Sequence, residues 1–436
     1  MCKEMRESGI EWIGDIPREW DIRPLKAILK ERNEKNIPIK SENILSLTID
    51  RGVIPYKEKN SGGNKAKEDL TAYKLTYPND IVINSMNVIA GSVGLSSYFG
   101  CISPVYYTLY TRRNNDNIKY FNYIFQSKVF QLSLLGLGNG IMMKQAEGSG
   151  KLNTIRMRIP MQKLNALLLP YPSIKEQEVI ANYLDKKVSQ IDGIISKQRS
   201  LIEKYKAYKQ SLITETVIKG LDKNVPMKDS GIEWIGEIPS HWEIKSMKYL
   251  CSCNDDSLTN SEDENMCINY VDISSVTFES GIVNYEEMLF KNAPSRARRV
   301  TQYGDIIIST VRTYLKAIAI IPDDKRYIVS TGFAVIRAKY ILNRYLDYFV
   351  KSEYFINLVS LYSKGISYPA IDSFDLMNIK IVEPSIDEQE KIADFLDKKC
   401  NAINLAIAKK EQLIEKLESY KNSLIYEYVT GKREVM

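Results

Sequence analysis

Residues 172–187 read PSIKEQEVIANYLDKK, and residues 384–399 read PSIDEQEKIADFLDKK, two near-identical blocks at an offset of 212. Each opens a long helical pattern. In the first copy, alternating steps of four and three fall on Ile180, Leu184, Lys187, Ile191, Ile194, Gln198, Leu201, Tyr205, Tyr208 and Leu212. In the second they fall on Ile392, Leu396, Lys399, Ile403, Ala406, Lys410, Leu413, Leu417, Tyr420 and Leu424. A 3.5-residue stripe of this length predicts a coiled-coil seam. Polar residues interrupt both seams at the same places, Lys187 with Lys399 and Gln198 with Lys410, where they fix register at some cost in stability. Ser173 and Ser385, each with a glutamate three residues on (Glu176, Glu388), have capping-box spacing and mark the helix starts. A helix over 175–217 spans about 65 Å at 1.5 Å per residue. That is too long for the interior of one small domain, so the two helices are expected to pair as a stiff spine. Two independent surface helices are the plainer alternative.

The duplication extends outward. Residues 8–17 read SGIEWIGDIP and residues 230–239 read SGIEWIGEIP, with Trp20 matched by Trp242. Between these blocks lie two stretches, 21–171 and 243–383, that share only short strand-like and helical matches. Asp80–Ser85 (DIVINS) answers Asp305–Thr310 (DIIIST), and YFNYIFQS at 120–127 answers YLDYFVKS at 345–352. Two copies with long variable interiors make a duplicated two-module chain, too few for a solenoid. The expected fold class is α/β: two mixed α/β modules joined by two long antiparallel coiled-coil helices in a pseudo-two-fold arrangement. Joining the last residues, VTGKREVM, to the first, MCKEMRESGIEW, recreates the central connector VIKGLDKNVPMKDSGIEW. The two ends of the chain are therefore expected to lie together.

Charge is uneven. The first module has 21 basic and 11 acidic residues, a net of +10, while the second has 16 and 18, a net of −2. A net of +10 suits a phosphate-binding surface, because lysine and arginine release counterions condensed on DNA; a basic face that is merely soluble is the alternative. The second module clusters Arg296, Arg298 and Arg299 just before a predicted strand, and that strand leads into Thr310, Arg312, Tyr314 and Lys316. Arginine suits bidentate guanine contact and phosphate contact, although such a run is also found in solvated loops. In the first module the comparable loop holds Asn84 and Asn87, side chains of the type that pairs with adenine. With Arg112 and Lys144 these complete the candidate DNA-contacting set.

The remaining composition excludes more than it proposes. The 436 residues are 44% apolar and 26% charged with a net charge of +6, ordinary values for a globular chain of several domains. A single histidine, His241, argues against histidine triads and histidine-metal nuclease chemistry. Six scattered cysteines form no C-x-x-C pair and read as reduced cytosolic thiols. The charged start has no signal-peptide core, and no run approaches a membrane span, so a cytoplasmic protein without membrane contact is expected. The nearest P-loop lookalike, Gly148-Ser149-Gly150-Lys151, lacks its first glycine and its Ser/Thr. The Asn/Asp-Pro-Pro-aromatic tetrapeptide of adenine amino-methyltransferases is absent. Asp185-Lys186-Lys187 and Asp397-Lys398-Lys399 look like the tail of a nuclease motif, but they stand on the helices and are read as structural.

Two W-I-G-x-I-P-x-x-W segments, each followed by a variable module and then P-S-I-x-E-Q-x-x-I-A-x-x-L-D-K-K, resemble the specificity subunit of type I restriction-modification systems over the whole chain. The resemblance implies an N-terminal conserved segment (1–20) and two target-recognition domains (21–171 and 243–383). It also implies a first long helix with central connector (172–242) and a second long helix with C-terminal segment (384–436). It implies a non-catalytic subunit whose modules each read one half of a split double-stranded DNA target. The helices would set the spacer and dock two modification (methyltransferase) subunits, with restriction (translocase/nuclease) subunits in the full complex. S-adenosylmethionine, ATP and magnesium would sit on those partners and no cofactor on this chain. A scaffold with two protein-binding modules is the rival reading.

Overall fold

The structure is a computed structural model, and it describes residues 4–59, 66–138 and 158–435. The chain divides into two compact units, residues 1–197 with 412–436, and residues 198–411. The division cuts across both long helices, so each unit holds one half of each.

In the first unit a four-stranded antiparallel sheet runs in the order Leu29–Glu31, Tyr106–Thr111, Ile81–Asn84, Val93–Leu95. Ile81, Val82 and Ile83 are all buried, because both faces of this central strand are covered. The helix Ile118–Gln126 starts at Asn117, whose side chain accepts from the N–H groups of Lys119 and Tyr120. It buries Tyr120, Phe121, Tyr123, Ile124 and Phe125 against the sheet and the long helices. The second unit repeats the plan with Cys251–Cys253, Phe333–Ala338, Ile306–Ser309 and Ile318–Ile320. It adds a second four-stranded sheet, Glu286–Leu289, Cys267–Val271, Tyr327–Ser330, Ala297–Val300, with one parallel pair in the middle. The first unit has two-stranded pairs instead, Leu45–Thr48 with Gly52–Pro55 and Lys74–Thr76 with Gly100–Ile102. The modules thus share a scaffold and differ in what is laid over it.

The first long helix covers Ile174–Lys219 and the second Ile386–Val429, 46 and 44 residues. Both capping boxes close. Glu176 N–H donates to Ser173 Oγ at 3.3 Å and Ser173 N–H to Glu176 Oε2 at 3.2 Å; the Ser385–Glu388 pair gives 3.4 and 3.1 Å. In the first unit the helix halves run antiparallel, with Tyr183 on Tyr428 at 4.6 Å and Lys421 Nζ on Asp192 Oδ1 at 2.7 Å. In the second, Lys209 Nζ reaches Asn404 Oδ1 at 3.0 Å and Lys410 Nζ reaches Gln198 Oε1 at 3.0 Å. The Gln198–Lys410 pair is the polar interruption expected of the seam.

The phase of the seam departs from expectation at every second position. Ile180, Leu184, Ile191, Ile392, Leu396, Ile403 and Leu424 are buried as expected, and Leu212 is half-buried. Leu201 is 39% exposed while its neighbour Ile202 is 6% exposed, and Leu413 is 41% exposed while Ile414 packs inward. Ile194 gives way to Ile195 in the same manner. The stripe after each shared position takes the four-residue step before the three, so Lys187 and Lys399 leave the seam. Their ammonium groups lie 5.9 Å from the Tyr183 ring and 5.7 Å from the Phe395 ring on the same helix. Adjacent apolar residues (Ile194-Ile195, Leu201-Ile202, Leu413-Ile414) satisfy either phase, which is why periodicity alone chose the wrong one.

The module ends are tied to the helices by one set of contacts written twice. Tyr120 Oη donates to Val429 O and Tyr345 Oη to Val217 O, both at 2.9 Å, satisfying carbonyls of a last helical turn that lack intrahelical partners. Asp185 accepts from Tyr123 Oη at 2.7 Å, Asp397 from Tyr348 Oη at 2.6 Å, and each also pairs with a module cation, Lys119 or Arg344. The aspartates of the two Asp-Lys-Lys triplets thus anchor the modules to the helices, while Lys187 and Lys399 stand outside the seam where the periodicity predicts them. In the first unit Lys432 Nζ donates to the carbonyls of Ile13 and Asp15, so the C-terminal residues lie on the N-terminal segment. No described helix is long and apolar enough to cross a membrane.

Candidate nucleic-acid interface

Each central sheet has one end at the long helices and one end away from them. In the first unit Asn117, just beyond Tyr106–Thr111, donates its backbone N–H to Gln177 Oε1 at 3.0 Å. Asn84 pairs with Tyr106 at the opposite end of that strand. In the second unit Leu342 N–H reaches Gln389 Oε1 at 2.7 Å, and Ser309 pairs with Phe333 at the far end. The loops after Asn84 and Ser309 are therefore equivalent, and both stand at the end of the sheet remote from the helices.

Asn84 and Asn87 occupy that loop. Asn84 Oδ1 accepts from Met86 N–H at 3.0 Å, an Asx turn that sets the loop's bend, and Asn87 is exposed. Arg112 is not with them. It stands about 20 Å along the strand direction from the Tyr106 end, at about 3.3 Å per residue, and its Nε donates to Lys26 O at 2.6 Å. Lys144 and Gly148–Lys151 lie outside the described residues. A neighbour that the sequence did not suggest, Arg158, is exposed beside the loop with its guanidinium 5.9 Å from the Tyr107 ring. The next residue, Ile159, donates its N–H to Ser85 O at 3.1 Å.

In the second unit the loop is more elaborate. Thr310 donates its N–H and its Oγ1 to Gly332 O, at 2.8 and 3.0 Å, which fixes its root. Arg312 and Lys316 both have left-handed backbones, φ 52° and 50°, and bracket the short turn Thr313–Leu315. Non-glycine residues rarely adopt that region, and when they cluster they mark a site where the surroundings override local preference. Arg312 lies over the Tyr368 ring at 5.1 Å and Lys316 over Phe278 at 5.9 Å. Among the described residues neither has a carboxylate partner. Tyr314 and Leu315 point outward between them.

The arginine cluster stands on a strand rather than in the loop before one. Ala297–Val300 is the edge of the second sheet, and only Arg296, just before it, adjoins the Thr310 loop, through Thr331 N–H to Arg296 O at 2.8 Å. Arg296 pairs with Asp272 at 2.9 Å and with Tyr270 Oη at 3.3 Å. Burial pulls the Asp272 carboxyl up, but the Ser274 N–H, the Tyr270 hydroxyl and Arg296 together hold it below the usual carboxylate range. Arg298 Nη2 donates to Asn260 Oδ1 at 3.0 Å with its guanidinium 5.0 Å from the Phe290 ring. Arg299 is half-buried between strands, where its backbone pairs with Val329 and bridges to Ser257. The structure thus brings Arg296, Thr310, Arg312, Tyr314 and Lys316 together and sets Arg298 and Arg299 farther along the strand.

One element of this end escaped the sequence analysis. Residues 363–370, SKGISYPA, form a finger beside the Thr310 loop. Its signal was a cluster of turn formers with two large apolar side chains in no periodic pattern. Elsewhere, no group of three His, Cys, Asp or Glu side chains among the described residues could hold a metal ion.

The chain is similar to known proteins over most of its length. A family model described as the type I restriction modification DNA specificity domain matches residues 239–418. The chain is 26% identical over 462 residues to a putative type I restriction enzyme MjaX specificity subunit of Methanocaldococcus jannaschii, covering 97% of this chain and 96% of that one. A structure reported for complex assembly and conformational transition of the type I R-M system aligns with TM-score 0.67 at 13% identity, over 96% of this chain and 99% of its own. The HsdS subunit from Thermoanaerobacter tengcongensis aligns with TM-score 0.50 at 14% identity, over 98% and 100%. At these identities the structural likeness is one of fold.

Proposed function

We propose, for a chain that belongs to the specificity-subunit family of type I restriction-modification systems, a division of labour in which each α/β module reads one half of a split duplex target. The chain is the DNA-specificity component of such a system. Its long helices set the spacer between the half-sites and dock two modification subunits, and restriction subunits join the full complex. Methylation and cleavage belong to those partners, which bring S-adenosylmethionine, ATP and magnesium. Nothing in this chain is asked to make or break a bond.

The observation that supports this most is the pattern of likeness and difference between the modules. Contacts at the helix end of each sheet are repeated residue for residue: Trp20–Glu176 with Trp242–Glu388, Tyr120–Val429 with Tyr345–Val217, Tyr123–Asp185 with Tyr348–Asp397. The loops at the other end share a backbone plan, a short turn at Val88–Ala90 or Thr313–Leu315 closed by Asn84 N–H on Ser92 O or Ser309 N–H on Ala317 O, but carry unlike side chains on it. A common mount with unlike tips suits two readers of unlike sequences, with phosphate contacts positioning and base-edge contacts specifying.

Single-molecule methylation sequencing of genomic DNA, with the gene intact and deleted, tests the reading. The expected result is a split motif whose methylation disappears on deletion. Unchanged methylation, together with no sequence-specific DNA binding by the complex co-purified with its modification subunit, would favour the scaffold reading instead.

A further inference from the structure

The finger at 363–370 is built with more care than a connecting loop needs. Lys364 and Ala370 exchange both backbone hydrogen bonds, at 2.8 and 2.9 Å, which pinches the base. Gly365 at the turn has φ +103°, and a Cβ there would stand 3.1 Å from the Tyr368 carbonyl oxygen. The finger is also bolted to the neighbouring loop. Val311 bridges to Ala370, Thr313 N–H reaches Pro369 O at 3.4 Å, and Thr313 Oγ1 and Ser363 Oγ are 2.8 Å apart. On this rigid base Ile366 is fully exposed and Tyr368 is 67% exposed. Single exposed apolar side chains are commonplace. Here Ile366, Tyr368, Tyr314 and Leu315 all project from two loops bolted together, among the cations Arg312 and Lys316.

An apolar tip beside a loop that carries two cations without carboxylate partners among the described residues, Arg312 and Lys316, fits one occupant, a nucleic-acid duplex. The ammonium and guanidinium groups meet phosphates, while an aliphatic side chain meets the stacked bases, as in proteins that insert an apolar wedge at a base step. An acidic protein surface would satisfy the cations but leave Ile366 without a counterpart. Resting on the DNA-reading role given above, we propose that residues 363–370 are a second reading element of the second module, with Ile366 as a wedge at a base step of its half-site. The Arg312–Tyr368 pair forms a flat plate beside the wedge, holding the guanidinium for the adjacent phosphate or base edge.

The test uses the full chain assembled with its modification subunit. The probes are the methylated target duplex and the same duplex with the second half-site scrambled. Because Ile366 touches no core, Ile366→Ser leaves the fold intact. The expected result is about a tenfold loss of affinity for the intact target, the scale of one lost specific contact. Affinity for the scrambled duplex stays unchanged, and Ile366→Leu restores most of the loss. Fluorescence energy transfer between the duplex ends reports a smaller bend with Ile366→Ser than with the wild type. Equal affinity and equal bend for wild type and Ile366→Ser overturn the finger alone, as does a loss that is the same on both duplexes. If the wild-type complex does not distinguish the two duplexes, the DNA-reading role itself falls, and the finger with it.

Discussion

Glu388 sits where helix, capping box and connector meet. Its carboxylate accepts from Trp242 Nε1 at 3.0 Å, from Ser385 Oγ at 2.7 Å, and lies 2.8 Å from His241 Nε2. Burial raises its pKa, but these bonds outweigh burial and bring it down to about 2. A carboxyl lowered on folding stabilises the fold above its ordinary range, and that stability is lost as pH falls from there toward about 2. Glu388→Gln should therefore cost about 1–2 kcal/mol at neutral pH. Its melting temperature should also fall less steeply than that of the wild type on acidification, as followed by circular dichroism. The interface arginines call for a different experiment. Arg312→Ala should weaken recognition of the second half-site by about 1–3 kcal/mol. Arg298→Ala, whose guanidinium is occupied by Asn260 and Phe290, should leave the half-site preference unchanged in competition binding. The Glu388 cluster was legible because both its sides fall in repeated blocks. Arg298 was not, because the partners that hold it, Asn260 and Phe290, lie 38 and 8 residues before it in an unrepeated stretch.

At the scale of the element, the long helices were legible in length, start and polar interruption, and illegible in phase. A 3.5-residue stripe can step three-then-four or four-then-three, and only packing chooses. The choice is measurable in one pair of variants. Ile202→Ala should cost about 2–4 kcal/mol as a buried truncation. Leu201→Ala, the residue that periodicity favoured, should fall within about 0.5 kcal/mol of wild type in chemical unfolding. The sheets show a related limit. Asp80 and Asp305 occupy matched positions, and each holds a backbone N–H three residues before it, Tyr77 or Gln302, at 2.8 Å. Their arginine partners come from different places, Arg32 just past Leu29–Glu31 in one module and Arg337 on Phe333–Ala338 in the other. A repeat read along the sequence finds the aspartate but not the arginine, because the partner was supplied by whichever segment lay near. The finger escaped for a simpler reason: turn residues announce a loop and are silent on what it is for.

For the whole molecule, a heptad removed from both long helices keeps the seam in phase and shortens each by about 10 Å. The expected outcome is a methylated motif with unchanged half-sites and a shorter gap between them, read by methylation sequencing. Altered half-sites would end the idea of a ruler. The modules also differ in when they can be finished. Every residue of the second unit lies between 198 and 411, and its deep Tyr345–Val217 bond joins groups 128 positions apart. The first unit needs both ends of the chain, and its matching Tyr120–Val429 bond spans 309 positions. A ribosome adding about 5–20 residues per second delivers the partner of Tyr120 many seconds after Tyr120 itself. The module encoded second can close on the nascent chain, while the module encoded first waits, its aromatic helix only partly covered, for residues 424–429 to arrive.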